Sequence, residues 1–600
     1  MRLVPTANGR FPMRLGDFDT LPEGLDYAAR EEAGFNFFSS RGVPEATLSY
    51  AELRERAVDL ARRLVGLGLP RCSRFAIAAE TGPEFPIFFF ACQYAGLIPV
   101  PLPLSLHMGG HGEYVARLRG MLRSAQPIAA ATAPEIVKFL KEAAEGLDLI
   151  VESHEAFCSL PASGADLRPF QQGDPCYIQY SSGSTTEPRG VLVTQRGVTA
   201  NARAIARFGL ALRAGDRAAS WLPLYHDMGL VGFCITPMLS QVTVDYLATS
   251  SFALRPRLWL KLISEHRSTI SFSPTFGYDL CVRRSTKDGG SGFDLSSWRV
   301  AGVGGEMVRP ETLTRFANLF SESGFDRRAF LPSYGLAEAT LAVTFAELGR
   351  GMRTDVIERE GYERQGRAIP APNGGHGAAT SERERTRAFV GCGQPLPEYE
   401  VTICDDEAQP VPERTIGRVV VTGPSLMDGY FEDPEKTSRV LLDGGRLDTG
   451  DMGYLVGGQL FITGRRKDMI ICSGRNIWPQ DLEWAVERLP GVRSGSVAAF
   501  SVAGPDAEER VVVVVESYST DPGVREALHH EVMATVHRTA GIRCESLFVA
   551  PRSLPHTSSG KLSRATAKAR FLDGLLTTVA SPPCAATSSA VADDTPARPS

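Results

Sequence analysis

Residues 180–191 form a segment rich in hydroxyl groups and glycine, Tyr-Ser-Ser-Gly-Ser-Thr-Thr-Glu-Pro-Arg-Gly-Val. Its small polar residues offer many hydrogen-bond donors with little side-chain bulk. Gly183 and Gly190 can adopt the positive φ that lets successive backbone N–H groups point at one anion. Arg189 adds a planar fork of donors suited to phosphate. The segment therefore predicts a polyphosphate-binding loop.

The residues on either side of this loop indicate which kind of nucleotide site it belongs to. Cys176–Tyr180 and Gly190–Thr194 are short apolar runs that predict two buried strands. A Walker A loop joins a strand to a helix and ends in Gly-Lys-Ser/Thr, whereas this loop joins strand to strand. The sequence thus predicts a nucleotide site of another type. An ordinary polar surface loop is the alternative.

Length and composition restrict the class of protein. The chain has 600 residues, too many for one hydrophobic core, and a net charge of −5, which gives no reason to expect nucleic acid as a partner. Its 11 cysteines include no Cys-x-x-Cys pair, so we expect reduced thiols in a cytoplasmic protein. The most apolar run, residues 85–100, is interrupted by proline, glutamine and glycine, which argues against a membrane span.

The order of apolar runs predicts two domains of different class. In the first part of the chain, strand-like runs at Arg74–Ala79, Ile98–Leu102 and Ile128–Ala131 alternate with helical patterns, as in α/β layers with parallel strands. From about residue 469 to residue 571, three strand-like runs and one long helical pattern indicate a smaller α+β unit. Residues 576–600 are rich in Ala, Ser, Thr and Pro and are typical of a disordered tail.

Three further segments carry residues suited to nucleotide chemistry. In Leu331–Glu338, Tyr334 beside Gly335 would let a flat base stack, and Glu338 could hold a divalent cation near phosphate. A helix start with Glu338 as a solvated first-turn acid is the alternative.

The other two segments lie later in the chain. Asp451, expected at a tight turn, could accept both ribose hydroxyls, and Arg465 could donate to the same sugar; two polar hairpin turns are the alternative. Lys561 lies in a loop of small residues and could neutralise charge developing on a carboxylate and an α-phosphoryl group. A solvated lysine is the alternative reading of that loop.

Taken in order, these segments resemble the adenylate-forming superfamily of acyl-CoA synthetases, adenylation domains and luciferases, and most closely the fatty acyl-AMP ligases. The similarity runs from about residue 21 to residue 571. The other segments that carry it are Trp221-Leu-Pro-Leu-Tyr-His-Asp-Met-Gly-Leu230, Tyr334-Gly-Leu-Ala-Glu-Ala-Thr340, Gly391-Cys-Gly-Gln-Pro395 and Gly474-Arg-Asn-Ile-Trp-Pro-Gln-Asp481.

The resemblance implies an architecture and a reaction. It implies a large multi-layer α/β adenylation domain over residues 1–466, a hinge at 467–468 with Lys467, and a mobile α+β C-terminal domain over 469–575. It also implies that ATP, with Mg²⁺, and a fatty acid give acyl-adenylate and pyrophosphate.

The resemblance also assigns roles to residues. The residues that would bind the β- and γ-phosphates are Ser182, Gly183, Ser184, Thr185, Thr186 and Arg189. The residues that would line the adenine pocket are Gly304, Gly305 and Glu306, and Tyr334 and Gly335 would lie against the base. Asp451 and Arg465 would hold the ribose, Glu338 the magnesium ion, and Lys561 would bridge carboxylate and α-phosphate. His226 would lie where the acyl tunnel meets the nucleotide. Apart from the resemblance, Phe233, Phe272, Phe276 and Tyr278 are candidates for the wall of an acyl tunnel, and core packing is the alternative that explains them equally well.

Three positions depart from the wider superfamily. Arg189 replaces a lysine, which keeps the charge but changes its geometry. Ala337 replaces a common threonine, as in the fatty acyl-AMP ligase branch. Arg418 stands where glutamate is usual, and nothing in the sequence explains it.

The Arg-, Glu-, Gly- and Pro-rich segment 346–386 lies where fatty acyl-AMP ligases carry an inserted element, thought to disfavour transfer to coenzyme A. The resemblance then implies transfer to an acyl carrier protein, or to a carrier domain of a polyketide or nonribosomal synthase. The arginines that could form a basic patch for such a partner are Arg353, Arg359, Arg364 and Arg367. A long-chain acyl-CoA synthetase and a non-catalytic acyl-adenylate-binding protein are the alternatives.

Overall fold

A computed structural model describes residues 1–104, 111–180, 189–285, 289–372, 385–472, 475–503, 509–557, 560–577 and 579, with the backbone alone for His111 and Glu113. The chain divides into two compact units. The larger unit comprises Met1–Met469, Gly474–Asn476 and His556–Lys561, and the smaller comprises Ile470–Ser473, Ile477–Pro555 and Leu562–Ser600. The segment around Lys561 therefore groups with the larger unit, although the sequence prediction placed all of 469–575 in the C-terminal domain.

The main sheet of the larger unit is mixed, with a parallel centre. Within the described residues its strand order is Gln394–Pro395, Ala342–Phe345, Phe330–Gly335, Val300–Val303, Ile270–Ser273, Arg217–Ser220, Thr243–Leu247, Gly34–Phe38 and Pro44–Ser49. Phe330–Gly335 pairs in parallel with Val300–Val303 and antiparallel with Ala342–Phe345. Of the candidate adenine-binding residues, Gly304, Gly305 and Glu306 follow strand Val300–Val303, and Tyr334 and Gly335 end strand Phe330–Gly335.

A second sheet of the larger unit is wholly parallel. Its order is Ile98–Pro101, Arg74–Ala78, Ala129–Thr132 and Ile150–Ser153. The predicted parallel α/β layering is confirmed here. Pro175–Tyr180 and Gly190–Thr194 pair antiparallel on either side of the predicted phosphate loop, so the strand-to-strand connection is also confirmed.

A third sheet of the larger unit is antiparallel. It contains Glu400–Cys404, Gly417–Thr422, Leu441–Leu442, Arg446–Val456 and Gln459–Arg465. Asp451 lies inside the long strand Arg446–Val456, so the prediction of a tight turn at Asp451 is wrong. The pairing with Gly417–Thr422 shifts register between Arg418 and Val420, which leaves residues 449–451 as a bulge. Such bulges re-aim a side chain beside active sites.

The segment 346–386 has regular structure in its described part. Thr354–Glu358 and Thr386–Val390 pair antiparallel, and helix Arg359–Gln365 follows the first strand directly. Residues 373–384 lie outside the described residues. Residues 354–365 therefore form a strand and a helix, and the strand shares its backbone hydrogen bonds with Thr386–Val390.

Helices cover the sheets of the larger unit. Their bounds are Leu21–Ala28, Tyr50–Val65, Glu84–Ala95, His111–Ala125, Val137–Ala143, His154–Cys158, Gln195–Ala204, Asp227–Gly229, Thr236–Leu239, Thr249–Leu254, Arg257–His266, Thr275–Ser285, Pro310–Leu319, Arg359–Gln365 and Pro434–Val440. Short 3₁₀ turns occur at Pro134–Ile136, Arg327–Ala329, Ala337–Ala339 and Arg466–Asp468. Ile205–Gly209 and Leu230–Ile235 are π-helical and continue helical segments.

The smaller unit is an α+β structure. Val497–Ala503 pairs antiparallel with Glu509–Glu516, which pairs in parallel with Cys544–Val549. Its helices are Pro479–Val486, Pro522–Ala540 and Arg564–Leu572, and it contains the short strand Ile470–Cys472. The first two residues of another short strand, Arg475–Ile477, group with the larger unit. Valines on both faces of Glu509–Glu516 are fully buried, so the central strand divides two apolar layers. The predicted α+β pattern is confirmed.

Among the described residues, no helix has both the length and the apolar character needed to cross a bilayer.

Candidate active site

A cavity of about 650 Å³ lies in the larger unit, and its wall has a polar and an apolar part. The polar part includes Gln179, Arg189, His226, Asp227, Gly304, Gly305, Tyr334, Glu338, Tyr430, Asp448, Thr449, Gly450, Arg465, Arg466, Lys467 and Lys561. The apolar part includes Ile205, Leu210, Gly232, Phe233, Phe272, Leu341 and Phe345. One ligand with a polar end and an apolar end could thus bind in this single cavity.

Tyr334, Asp451 and Arg465 form a hydrogen-bonded trio. The Tyr334 hydroxyl donates to Asp451 Oδ2 at 2.7 Å, and Arg465 Nε donates to Asp451 Oδ1 at 3.1 Å. Asp451 is 6% exposed, and its charge raises the pKa of the Arg465 guanidinium above the ordinary value. Each carboxylate oxygen has lone pairs to spare, so Asp451 can still accept from a ligand.

The bulge that carries Asp451 is held by its own side chains. Asp448 Oδ1 accepts from Gly450 N–H at 3.0 Å, and the Thr449 hydroxyl donates to the Val419 carbonyl at 2.8 Å. Asp451 N–H donates to Thr449 Oγ1 at 3.1 Å. Gly450 has a φ of +72°, which a residue with a side chain rarely adopts. These bonds fix the direction in which the strand turns Asp451.

Glu338, Tyr430 and Arg189 form a second polar cluster. The Tyr430 hydroxyl donates to Glu338 Oε1 at 2.8 Å, and the Arg189 guanidinium lies 5.4 Å from the centroid of the Tyr430 ring. Glu338 lies in a short 3₁₀ turn, Ala337–Ala339, at the end of the strand that carries Tyr334. The cluster places one carboxylate and one guanidinium in the cavity wall.

Lys561 reaches the turn after strand Val300–Val303. A Cβ added to Gly305 would lie 3.5 Å from Lys561 Nζ, and Gly305 has a φ of +79°. Burial lowers the pKa of the Lys561 ammonium more than the nearby carboxylates of Asp227 and Glu306 raise it. The ammonium is therefore held beside a bare backbone turn, where a ligand can approach both.

The acidic neighbours of Lys561 have partners of their own. Asp227 Oδ1 lies 2.5 Å from His226 Nδ1, and Glu306 Oε1 accepts from Phe276 N–H at 2.9 Å. Burial alone would raise the pKa of Asp227, but His226 and Lys561 bring it below its ordinary value. Burial raises the pKa of Glu306, although the hydrogen bond from Phe276 N–H and the charge of Lys561 both act to lower it. Asp227 is thus the stronger permanent counter-charge to Lys561.

Gly335 is required by close packing at the rim of the polar part. A Cβ at this position would lie 1.7 Å from the Leu341 carbonyl oxygen. Any side chain would push apart strands Phe330–Gly335 and Ala342–Phe345, which carry residues of both parts of the cavity wall.

Two π-helical turns contribute to the apolar part. Ile205 begins the turn Ile205–Gly209, and Gly232 and Phe233 lie in Leu230–Ile235. Turns of this kind occur frequently at functional sites. A Cβ at Gly232 would meet nothing closer than Leu341 Cδ2 at 3.5 Å, so glycine there leaves open space in the cavity.

Three phenylalanine rings pack edge to face along this wall. Phe272 lies 6.1 Å from Phe233 and 6.3 Å from Phe345 between ring centroids. Tyr278, in contrast, is fully buried in the core and donates to the Gly302 carbonyl, which agrees with the core-packing alternative. Phe276 packs edge-on against Trp221 at 5.7 Å and does not line the cavity.

Most of the predicted site residues that the structure describes come together in this cavity. Those that line it are Arg189, His226, Gly304, Gly305, Tyr334, Gly335, Glu338, Arg465, Lys467 and Lys561. Asp451 lies directly behind Tyr334 and Arg465, and Glu306 is turned toward Phe276. Ser182, Gly183, Ser184, Thr185 and Thr186 lie outside the described residues.

The sequence prediction missed Tyr430, Gln179 and the bulge at 449–451. Tyr430 is 92 residues from its partner Glu338, and no local pattern connects the two. Gln179 is 1% exposed and donates to the Tyr225 carbonyl at 2.8 Å. The sequence signal that could have identified Gln179 is an amide side chain in a predicted buried strand immediately before a predicted phosphate loop.

Known proteins resemble this chain in sequence and in structure. The model of the AMP-binding enzyme family matches residues 26–431. A solved structure from a study of fatty acyl-adenylate ligases from E. coli and L. pneumophila is 43% identical, with a TM-score of 0.88, and covers 94% of this chain and 99% of that one.

Two curated relatives extend over almost the whole chain. A Caulobacter vibrioides protein, provisionally assigned as an acyl-CoA synthetase, is 44% identical over 96% of this chain and 99% of its own length. A medium-chain-fatty-acid–[acyl-carrier-protein] ligase of Moorena producens is 33% identical over 93% of this chain and 96% of its own length.

Proposed function

The chain belongs to the family of AMP-binding enzymes, and we propose that it activates a fatty acid with ATP and passes the acyl group to a carrier-protein thiol. The observation that carries this proposal is the two-part cavity. Its polar part is lined by Lys561, Arg465 and Glu338, with Lys561 beside the backbone turn at Gly305, and its apolar part is lined by aliphatic and aromatic side chains. A fatty acid has a charged end and an apolar chain that match these two parts.

In the first step a carboxylate oxygen attacks the α-phosphorus of ATP. A new P–O bond forms, the bond to the bridging oxygen of the β-phosphate breaks, and pyrophosphate leaves. Two anions must approach each other, so we assign Lys561 to neutralise the charge that develops between them. Arg189 would hold the leaving phosphates together with Ser182, Gly183, Ser184, Thr185 and Thr186.

The nucleoside would be held by groups that are already ordered. Tyr334 and Gly335 would contact the adenine together with Gly304 and Gly305, and Asp451 would accept from the ribose hydroxyls. Because Asp451 is fixed by Tyr334 and Arg465, little side-chain entropy would be lost on binding. Glu306 would act by shaping the adenine-side turn rather than by contact.

Glu338 fits a role in holding Mg²⁺. Its carboxylate offers hard oxygen ligands, and Mg²⁺ in phosphate-transfer sites takes one or two carboxylates together with substrate phosphates. Across the described ranges no group of three or more His, Cys, Asp or Glu gathers as a metal site, which fits an ion brought in with ATP. A bound Mg²⁺ would offset negative charge on the phosphates.

In the second step a phosphopantetheine sulfur attacks the acyl carbonyl carbon and AMP leaves. A carrier-protein acceptor is supported by the relatives named as acyl-carrier-protein ligases. The Caulobacter relative favours coenzyme A as the second candidate acceptor. Of the four arginines proposed for carrier docking, Arg359 pairs with Glu363 at 3.2 Å and is 17% exposed, so it is a poor docking charge.

The test has two parts. Purified protein is incubated with ATP, Mg²⁺ and saturated fatty acids of increasing length, and pyrophosphate release is measured. Coenzyme A or a phosphopantetheinylated carrier protein is then added, and the acyl thioester is identified by mass spectrometry. We expect acyl-carrier product in excess of acyl-CoA. Predominant acyl-CoA would establish the second candidate, and absence of ATP–pyrophosphate exchange with every acid would leave only a binding role.

A further inference from the structure

Arg418 is a buried cation beside the bulge that carries Asp451. It lies on strand Gly417–Thr422 and is 9% exposed. Its Nε atom lies 3.3 Å from Asp448 Oδ2, and its Nη1 donates to the Asp406 carbonyl at 3.2 Å. A charged side chain is rarely buried unless it is paired, so the ion pair with Asp448 accounts for the position of Arg418.

Asp448 connects Arg418 to the bulge. One carboxylate oxygen faces Arg418 and the other accepts from Gly450 N–H. Asp448 is also one of the residues that line the cavity, so its charge lies close to the space where a nucleotide would bind. The chain of contacts runs from Arg418 through Asp448 to the backbone immediately before Asp451.

We propose that Arg418 is a positioning residue for the sugar of the nucleotide. By pairing with Asp448 it holds the bulge at 449–451 in the geometry that presents Asp451 to the ribose hydroxyls. It also balances the Asp448 charge, which would otherwise repel a triphosphate. The inference rests on the proposed function, in which Asp451 accepts from the ribose.

The physical reason is the cost of an unpaired carboxylate. Without Arg418, the half-buried Asp448 would lose its counter-charge and would turn toward water in the cavity. Turning would break its bond to Gly450 N–H and free the bulge to move. Small misplacements of a positioning group are costly for binding in an ordered site.

The test is Arg418→Met, which keeps the stem and removes the charge. We expect the KM for ATP to rise about tenfold, the low end for losing an interaction with a charged group, while kcat changes much less. With 2′,3′-dideoxy-ATP as the nucleotide, the same substitution is expected to change KM about twofold or less, because the hydroxyls that Asp451 would hold are absent. The KM for ATP and the KM for dideoxy-ATP are both measured by pyrophosphate release.

Three further variants separate positioning from general stability. Arg414→Met breaks another arginine–aspartate pair of the larger unit, Arg414 Nη1 to Asp355 Oδ2 at 3.0 Å, neither residue of which lines the cavity. It is expected to lower the melting temperature without raising the KM for ATP. Arg418→Lys keeps the charge and should retain most of the affinity. Arg418→Met combined with Asp448→Asn removes both charges and should recover much of the lost affinity.

The outcomes distinguish the inference from the proposed function. An unchanged KM in Arg418→Met, or an equal rise for ATP and dideoxy-ATP, would overturn the positioning role while leaving acid-dependent pyrophosphate release intact. If Arg418→Met does not fold, Arg418→Lys and the double variant still test the positioning role. That role requires both variants to keep a near-normal KM for ATP. Pyrophosphate release by the wild type with no acid at all would instead overturn the proposed function.

Discussion

The polar and apolar parts of the cavity wall are built in different ways. On the polar side the charged groups are already bound to protein partners: Asp451 to Tyr334 and Arg465, and Glu338 to Tyr430. On the apolar side the phenylalanine side chains of the wall pack through ring contacts. The polar part is therefore preorganised, whereas the apolar part provides space.

This difference predicts two kinds of response to substitution. Preorganised charges act where charge develops, so removing one is expected to cost orders of magnitude in rate. Apolar contacts add up in small, roughly area-dependent steps, so changing one is expected to shift selectivity among acids by smaller factors.

The largest expected effect is that of Lys561→Ala. Loss of the ammonium is expected to lower the rate of pyrophosphate release by about 10²- to 10³-fold. ATP binding, measured by isothermal titration, is expected to be largely retained, because Arg465, Asp451 and Tyr334 remain. Lys568→Ala, in helix Arg564–Leu572 of the smaller unit, is the matched control. Near-normal pyrophosphate release by Lys561→Ala would remove Lys561 from the chemistry.

Asp451→Ala tests the next largest contribution. It removes the acceptor for the ribose and leaves Arg465 without its buried counter-ion, so we expect the KM for ATP to rise about 10- to 100-fold. Asp355→Ala, which breaks the Arg414 pair away from the cavity, controls for lost stability. A larger effect on kcat than on KM would show that Asp451 acts in the chemical step rather than in binding.

Sequence reasoning succeeded where function depends on a short continuous segment. Residues 176–194 were predicted as strand, loop and strand from their composition, and both strands are present. Tyr334 and Glu338 belong to one motif, so the strand that places the first also places the second. Asp451 and Arg465 were expected to share a sugar, and the strands that carry them pair with these residues opposite each other.

Sequence reasoning failed where a partner comes from far along the chain. The link from Tyr430 to Glu338 and the link from Arg418 to Asp448 exist only after the sheets have formed. The same is true of the apolar wall, where Phe233 lines the cavity but Tyr278, which is also aromatic, lies in the core. Composition cannot separate a ring that faces a cavity from one that faces another ring.

The lowered pKa of Lys561 predicts a pH dependence on the polar side. The proposed role needs the protonated ammonium, and burial lowers its pKa below the ordinary value of 10.5. Activity is therefore expected to be full at lower pH and to be lost as pH rises through the lowered pKa, with a fall of about tenfold per pH unit beyond it. The pH profile of kcat/KM for pyrophosphate release checks this. Lys561→Arg should lack the alkaline fall, because guanidinium stays protonated.

Gly232→Leu tests the apolar side and is expected to have the smallest effect. Glycine leaves open space beside Leu341, so an added isobutyl group would occupy part of the apolar cavity without a backbone clash. We expect kcat/KM for the longest accepted acids to fall about tenfold relative to the shortest, since misfits in apolar pockets cost little more than this per methylene. The KM for ATP should stay unchanged. Phe208→Leu is the control, because Phe208 lies in the neighbouring π-helical turn but is 54% exposed. A uniform loss of activity with acids of every length would mean that Gly232 supports the polar part as well, and the division of the wall into an ordered half and a permissive half would no longer hold.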